Sequence, residues 1–279
     1  MPNHSTHLLH NYLAHIELNY LPPLLSYLSC LFEQRPMPSH NEQHHMRVWE
    51  HCKTLLVALH EAGHNIAPQH ALNALIACMF HDTGLLIDIG EAHGQYSAKL
   101  CSDYLDASLI TLKIDAPNRA AILTAIANHD NKQLREQPPA MDDLSLLVAT
   151  ADDLDAAGLY GAYRYIEIYH HRGLKPDEIA RRAAQNVADR QANWQRAYAP
   201  LHALVAHHNA RFEATASLFA QHTQHPEVIA WICDNLVGAT HPIEQVASQA
   251  LTNPTLPAAV ERYLGSLLSE LSTNTDGTF

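Results

Sequence analysis

The chain has 279 residues, of which 47% are hydrophobic and 16% charged. It can therefore bury a substantial core, and it is neither a disordered tail nor a disulfide-stapled mini-domain. Seventeen basic residues against 29 acidic ones leave a net charge of −12 with histidine neutral, which speaks against nucleic-acid backbone binding, since that needs clustered lysine and arginine.

Two further counts bear on chemistry and compartment. Histidine is abundant at 22 residues, and it both ligates metals and moves protons near neutral pH. The five cysteines, Cys30, Cys52, Cys78, Cys101 and Cys233, are widely spaced with no Cys-x-x-Cys. That pattern favours reduced thiols in a cytoplasmic protein over a zinc ribbon or a disulfide framework. No basic residue precedes Arg35, so a signal peptide with a positive leading region is not expected. The apolar stretch 21–32 contains Pro22-Pro23 and falls short of the roughly 20 residues that span a bilayer. The expectation is a cytoplasmic protein that binds neither membrane nor nucleic acid.

The helical period dominates in chain order. Residues 1–35 read as one or two helices broken at Pro22-Pro23, and Pro36, Pro38 and Ser39 form a turn. A helix over about 41–62 follows, closed by Gly63. Pro68 precedes another helix whose interior 71–80 is apolar on nearly all faces, which belongs at the centre of a bundle. Asp82-Thr83-Gly84 ends it, with the glycine read as the residue past the C-terminus. A loop to Ala92 leads to a helix through Leu105, with Tyr96, Leu100 and Tyr104 expected on its inner face beside His93. Pro117 starts a helix ending near His129, and Pro138-Pro139 separate it from a helix over about 142–157. From Tyr160 onward, amphipathic helices are broken at Gly173, Pro200, Pro226, Pro242 and Pro257. Alternating β-branched runs are almost absent and glycine numbers only 10, so the fold class is all-α. The chain divides into an N-terminal helical segment (1–40), a core (41–160) and a C-terminal helical extension packed on that core (161–279).

Polar residues recur where these helices should be buried. The dipeptide His-Asp occurs twice, at 81–82 and 129–130; about one is expected by chance, so its placement carries the information. His81-Asp82 closes the most apolar helix, where burying both groups is costly unless they are paired or metal-bound. His129 continues the face of Ile122, Ala125 and Ile126. Asp152 lies one turn past Val148 and two past Leu144, with Asp153 and Asp155 as nearby alternatives. His44 is in phase with Val48, Leu55 and Leu59, and its neighbour His45, in phase with Trp49, Cys52 and Leu56, could equally face inward. Asp130 reads as the exposed end of its helix. His4, His7, His10, His15, His170, His171 and the later histidines read as surface residues, and Tyr160, Tyr163, Tyr165 and Tyr169 as core and rim. Imidazoles and carboxylates converging from five helices on one core are the makings of a bundle metal site.

The ordered set His44, His81-Asp82-Thr83-Gly84, Glu91-Ala92-His93-Gly94, Ile126-Ala127-Asn128-His129 and Ala151-Asp152-Asp153-Leu154-Asp155 resembles the HD-domain superfamily of metal-dependent phosphohydrolases over about residues 41–158. The resemblance implies an HD-like helical bundle with additional C-terminal helices. It implies a first metal held by His44, His81, Asp82 and Asp152, and a second, bridged by Asp82 and completed by His93 and His129. Asp82, His93 and His129 would then also be the catalytic residues. One or two divalent ions are implied, with Fe, Mn, Co, Ni or Zn better suited than Ca to imidazole and carboxylate donors, and Mg also compatible. Such a pair lowers the pKa of a shared water and neutralises charge growing on phosphoryl oxygens.

Departures from the family pattern leave the substrate open. Leu85 stands where many relatives carry a lysine after His-Asp-x-Gly. His129-Asp130-Asn131 is not followed by Gly-Tyr-Pro, and no glutamate lies between Asp82 and Asp88. Arg47, Lys99 and Lys132 are candidate phosphate contacts, Arg135 lies nearby, and seven of the 17 basic residues fall between Arg164 and Arg196. The expected activity is hydrolysis of a small phosphate ester or nucleotide by a phosphomonoesterase, nucleotidase or phosphodiesterase, with a homodimer as one candidate assembly. The same ligand string also suits a diiron oxygenase, and a non-catalytic signalling module is the remaining alternative.

Overall fold

A computed structural model describes residues 4–33, 37–107, 114–131, 137–239 and 241–275. Among them are twelve α-helices and no strand, so the molecule is all-α. In chain order the helices are α1 (His4–Phe32), α2 (Glu42–Glu61), α3 (Pro68–Phe80), α4 (His93–Ala107), α5 (Ala116–Asn128), α6 (Leu144–Asp155), α7 (Leu159–His171), α8 (Pro176–Ala197), α9 (His202–Ala220), α10 (Pro226–Asn235), α11 (Ile243–Ala250) and α12 (Ala258–Thr275). No helix among the described residues is long and apolar enough to cross a membrane.

The described residues fall into two compact units. One contains α1, His40–Leu154 and Arg196–Leu204; the other contains residues 37–39, Asp155–Gln195 and the chain from Val205 onward.

In the first unit α3 is the central helix, with every residue from Ala71 to Phe80 buried, and it packs against α1, α2 and α5. Its N-terminus follows the expected chemistry, with Pro68 in the first turn, where a missing N–H costs nothing. The side chain of Asn41 accepts from the backbone N–H groups of Gln43 and His44, an N-cap that sets where α2 begins and so where His44 points.

The expected break at Pro22-Pro23 does not occur. Helix α1 runs unbroken through both prolines. They lie on its exposed side, while Leu9, Leu13, Ile16, Leu24, Leu28 and Phe32 form a buried stripe along the other. Burial along that stripe outweighs two lost backbone hydrogen bonds. Trp49 Nε1 and Lys53 Nζ both donate to Glu17 Oε1, at 2.7 and 2.8 Å, and tie α2 to α1.

Gly84 also departs from the expected role. It does not adopt the left-handed conformation of a helix C-terminus but lies in a 3₁₀ turn, Thr83–Leu86. A β-carbon there would stand 2.0 Å from the carbonyl oxygen of His93 and 2.7 Å from the backbone nitrogen of Ser97. Glycine is required because α4 passes directly over it, and Gly84 N–H donates to Ser97 Oγ at 2.7 Å.

The buried face of α4 is correspondingly His93, Gly94, Ser97, Cys101 and Leu105. The expected inner face through Tyr96 is corrected: Tyr96 is exposed, and Tyr104 reaches sideways to Tyr27 and Phe80. Small residues won the inner face because α4 must approach closely. A β-carbon on Gly94 would meet the Ala127 carbonyl oxygen of α5 at 2.9 Å.

The second unit is built around α7. Glu270 of α12 accepts from the backbone N–H groups of Leu159 and Tyr160 at 2.7 and 3.2 Å, capping a helix start that has no local side-chain cap. Arg164 and Asp155 form a buried ion pair at 3.1 Å. Glu167, fully buried, accepts from Ser39 N–H at 2.9 Å and from the Ser39 hydroxyl, while its other oxygen accepts from Tyr163 OH at 2.6 Å. His208 and His222 are buried here, against the expectation that the later histidines lie at the surface. His208 packs edge-on against Trp194, and His222 faces the Asp177 carboxylate at 2.8 Å.

Candidate metal centre

All six expected ligands lie in the first unit, and the fold brings them together. His44 comes from α2, His81 from the end of α3, Asp82 from the turn that follows, His93 from the first residue of α4, His129 from the end of α5 and Asp152 from α6. Each is at most 5% exposed.

They form two groups that share one residue. In the first, His44 Nε2 lies 3.0 Å from His81 Nε2, 3.3 Å from Asp82 Oδ2 and 3.6 Å from Asp152 Oδ1. His81 Nε2 is 3.5 Å from Asp82 Oδ2 and 3.7 Å from Asp152 Oδ1. In the second, His129 Nε2 lies 3.0 Å from Asp82 Oδ1 and 3.1 Å from His93 Nε2, which is itself 3.3 Å from Asp82 Oδ1. Asp82 thus turns one oxygen to each group.

The outward nitrogens explain the orientation of the rings. His81 Nδ1–H donates to the Cys78 carbonyl at 2.9 Å, His93 Nδ1–H to Gly90 at 2.7 Å and His129 Nδ1–H to Ile126 at 2.8 Å. In every case the acceptor is the carbonyl three residues earlier. With Nδ1 carrying the hydrogen, each neutral ring directs its Nε2 lone pair inward, the tautomer that metal-binding histidines need. Inside, those lone pairs confront one another and the carboxylate oxygens at about 3 to 3.7 Å. Such an array of buried acceptors calls for positive charge between them. Imidazole and carboxylate donors in this convergence fit divalent transition ions, and the six residues would hold one or two of them.

Without metal, protons take that role. Burial pushes the Asp82 carboxyl up, but the His81 ring and hydrogen bonds from His129, His44 and His93 hold it well below the usual carboxylate range. Burial disfavours the His93 imidazolium, yet the Asp82 carboxylate, supported by Asp130, raises it to about 9. His129 is raised for the same reason, against its own burial.

The adjacent histidines separate clearly. His44 joins the cluster; His45 is buried beside it but donates from Nδ1 to the Cys78 carbonyl at 3.0 Å, and its Nε2 has no partner. Burial, with His81 and His44 nearby, drives its basicity well below that of an ordinary histidine. The Cys78 carbonyl therefore accepts from both His45 and His81. Among the aspartates Asp152 joins the site, whereas Asp155 pairs with Arg164 in the second unit.

Asp130 is half-exposed as expected, and its carboxylate lies 3.4 Å from His93 Nε2. Sequence reasoning did not single out His40, which is buried with its ring 5.4 Å from that of His44. Nor did it find the three ring-orienting carbonyls, since a backbone acceptor carries no residue signature.

Of the candidate phosphate contacts, Arg47 is half-buried on α2, three residues past His44. Lys99 forms an exposed ion pair with Asp103 at 2.7 Å, and Lys132, like Arg135, lies outside the described residues. Compared with protein-family models, with curated proteins and with solved structures, the chain matches none.

Proposed function

We propose that this chain is a metal-dependent phosphohydrolase of the HD type, acting on a small phosphate ester or nucleotide. The observation that carries the reading is the division of Asp82, with Oδ1 beside His93 and His129 and Oδ2 beside His44 and His81. Two divalent ions in such a pair of sites supply a hydroxide at neutral pH and offset charge developing on phosphoryl oxygens during in-line displacement. The chain's own contribution is placement. Asp82 sets the spacing of the two sites, the three carbonyl-anchored rings hold their Nε2 atoms inward, and the surrounding apolar helices exclude bulk water. Half-exposed Asp130 marks the solvent side of the second group.

Metal analysis of the purified protein, followed by assays on phosphomonoesters, nucleotides and cyclic dinucleotides, tests the proposal. Close to two Mn, Fe, Co, Ni or Zn ions per chain, and turnover of one of these classes that is lost with chelation, is the expected result. An O₂-consuming enzyme with a mixed-valence diiron spectrum overturns it in favour of an oxygenase. A protein that neither retains metal nor turns over any ester overturns it in favour of a non-catalytic module.

A further inference from the structure

Helix α1 has two apolar sides, and the first unit uses one. Leu9, Leu13, Ile16, Leu24, Leu28 and Phe32 are buried, and the helix packs against α2, α3 and the turn Thr83–Leu86. On the other side His7, Asn11, Ala14 and Leu18 are exposed, and Leu21 and Leu25 are half-buried. Leu18 is 77% exposed and Leu8 58%, two of the four large apolar side chains left in solvent among the described residues. A lone exposed leucine is ordinary, but this series is ordered. Its spacing alternates four and three residues from His7 to Leu25, and it is apolar from Ala14 onward. That is the 3.5-residue repeat by which one helix packs along another. A helix apolar on both sides is stable when both are covered.

Charge identifies the occupant. With histidine neutral, Glu17 is the one charged residue between His4 and Phe32, and it is tied to Trp49 and Lys53 of α2. The outer side of α1, a helix of 29 residues and so about 43 Å long, therefore carries no formal charge. The whole chain carries −12, so two copies repel one another over much of their surface, but not along this strip. A basic partner would find no carboxylate here to pair with. Two such helices, each about 12 Å wide, cover about 1,000 Å² in all when laid together, the lower bound for a specific interface. Laid antiparallel, Leu18 of one copy meets Leu21 of the other and Ala14 meets Leu25, small against large. We propose that the exposed side of α1 is the interface of a two-fold homodimer, in which α1 packs along α1 of a second copy.

Sedimentation velocity of the full chain tests this. The expected result is a reversible monomer–dimer equilibrium with a Kd of about 1 to 50 µM, as suits a small interface. Leu18→Glu places a charge at the centre of the seam, on a side chain outside the core, and should weaken the dimer at least about tenfold. Ala14→Arg, one turn earlier, should weaken it as much. The added charges have opposite signs, so loss in both variants reports burial at the interface and not a change in net charge. Far-ultraviolet circular dichroism should be unaltered in each, since both positions are exposed. A chain that is monomeric at about 100 µM, a dimer that neither substitution weakens, or association that continues beyond the dimer each overturns the proposal. A monomer that floats with phosphatidylcholine vesicles overturns it in favour of a membrane surface.

Discussion

The carbonyl oxygen of His93 occupies the space that a β-carbon on Gly84 would need, at a separation of 2.0 Å. This places a residue of the His81-Asp82-Thr83-Gly84 turn directly under the helix that delivers a second-group ligand. Gly84→Ala must push the start of α4 away and move His93 with it, while His44, His81 and Asp152 keep their supports. The expected outcome is a loss of at least about 2 kcal/mol of stability and a fall in bound metal from about two equivalents to about one. Thermal melts and metal analysis check this; a Gly84→Ala protein with full metal content would show that α4 adjusts freely.

His44 and His45 are neighbours in sequence with opposite roles. His44→Phe removes an inward Nε2 and should empty the first group. His45→Phe removes an Nε2 that has no partner and an Nδ1–H whose acceptor, the Cys78 carbonyl, keeps His81 as a donor, so it should retain both metals with a stability change within about 1.5 kcal/mol. Metal stoichiometry of the two variants decides between them, and equal losses would return His45 to the ligand set.

Proton and metal compete for the second group, with opposite pH dependences. The His93 imidazole titrates at about 9 in the folded metal-free chain, against about 6.5 when unfolded. Its stabilisation of the metal-free fold is therefore complete below pH 6.5 and disappears as pH rises through 9, about 3 kcal/mol in all. Metal binding needs that proton removed, so metal affinity should climb as pH rises toward 9. Melting temperatures at pH 6 and pH 9.5, with and without chelator, measure both trends. A metal-induced rise in melting temperature that does not grow with pH contradicts this account.

Glu167 ties Ser39 to α7 within the second unit. Glu167→Leu removes the acceptor of the Ser39 N–H and hydroxyl bonds and the nearer acceptor of Tyr163 OH, at 2.6 Å against 3.3 Å for the Leu236 carbonyl, and should cost about 2 to 4 kcal/mol in chemical denaturation. Glu167→Gln, which keeps an acceptor for one donor, should cost less. Metal content should remain at the wild-type value in both, since all six ligands belong to the first unit.

The amino-acid sequence by itself determined the helical class, the approximate limits of α2 to α6 and the six imidazoles and carboxylates expected to converge, His44, His81, Asp82, His93, His129 and Asp152. Those features are local: apolar periodicity, proline and asparagine at helix starts, and polar residues in phase with an apolar face. Tertiary structure alone decided the rest. It kept α1 continuous through Pro22-Pro23, gave the inner face of α4 to Gly94 and Ser97 instead of Tyr96, and buried His222. It also selected His44 over His45 and aimed one oxygen of Asp82 at each group. Each of these outcomes depends on the distance between atoms far apart along the chain, and helical periodicity, which ranks faces by hydrophobicity, contains no measure of how closely two backbones must approach.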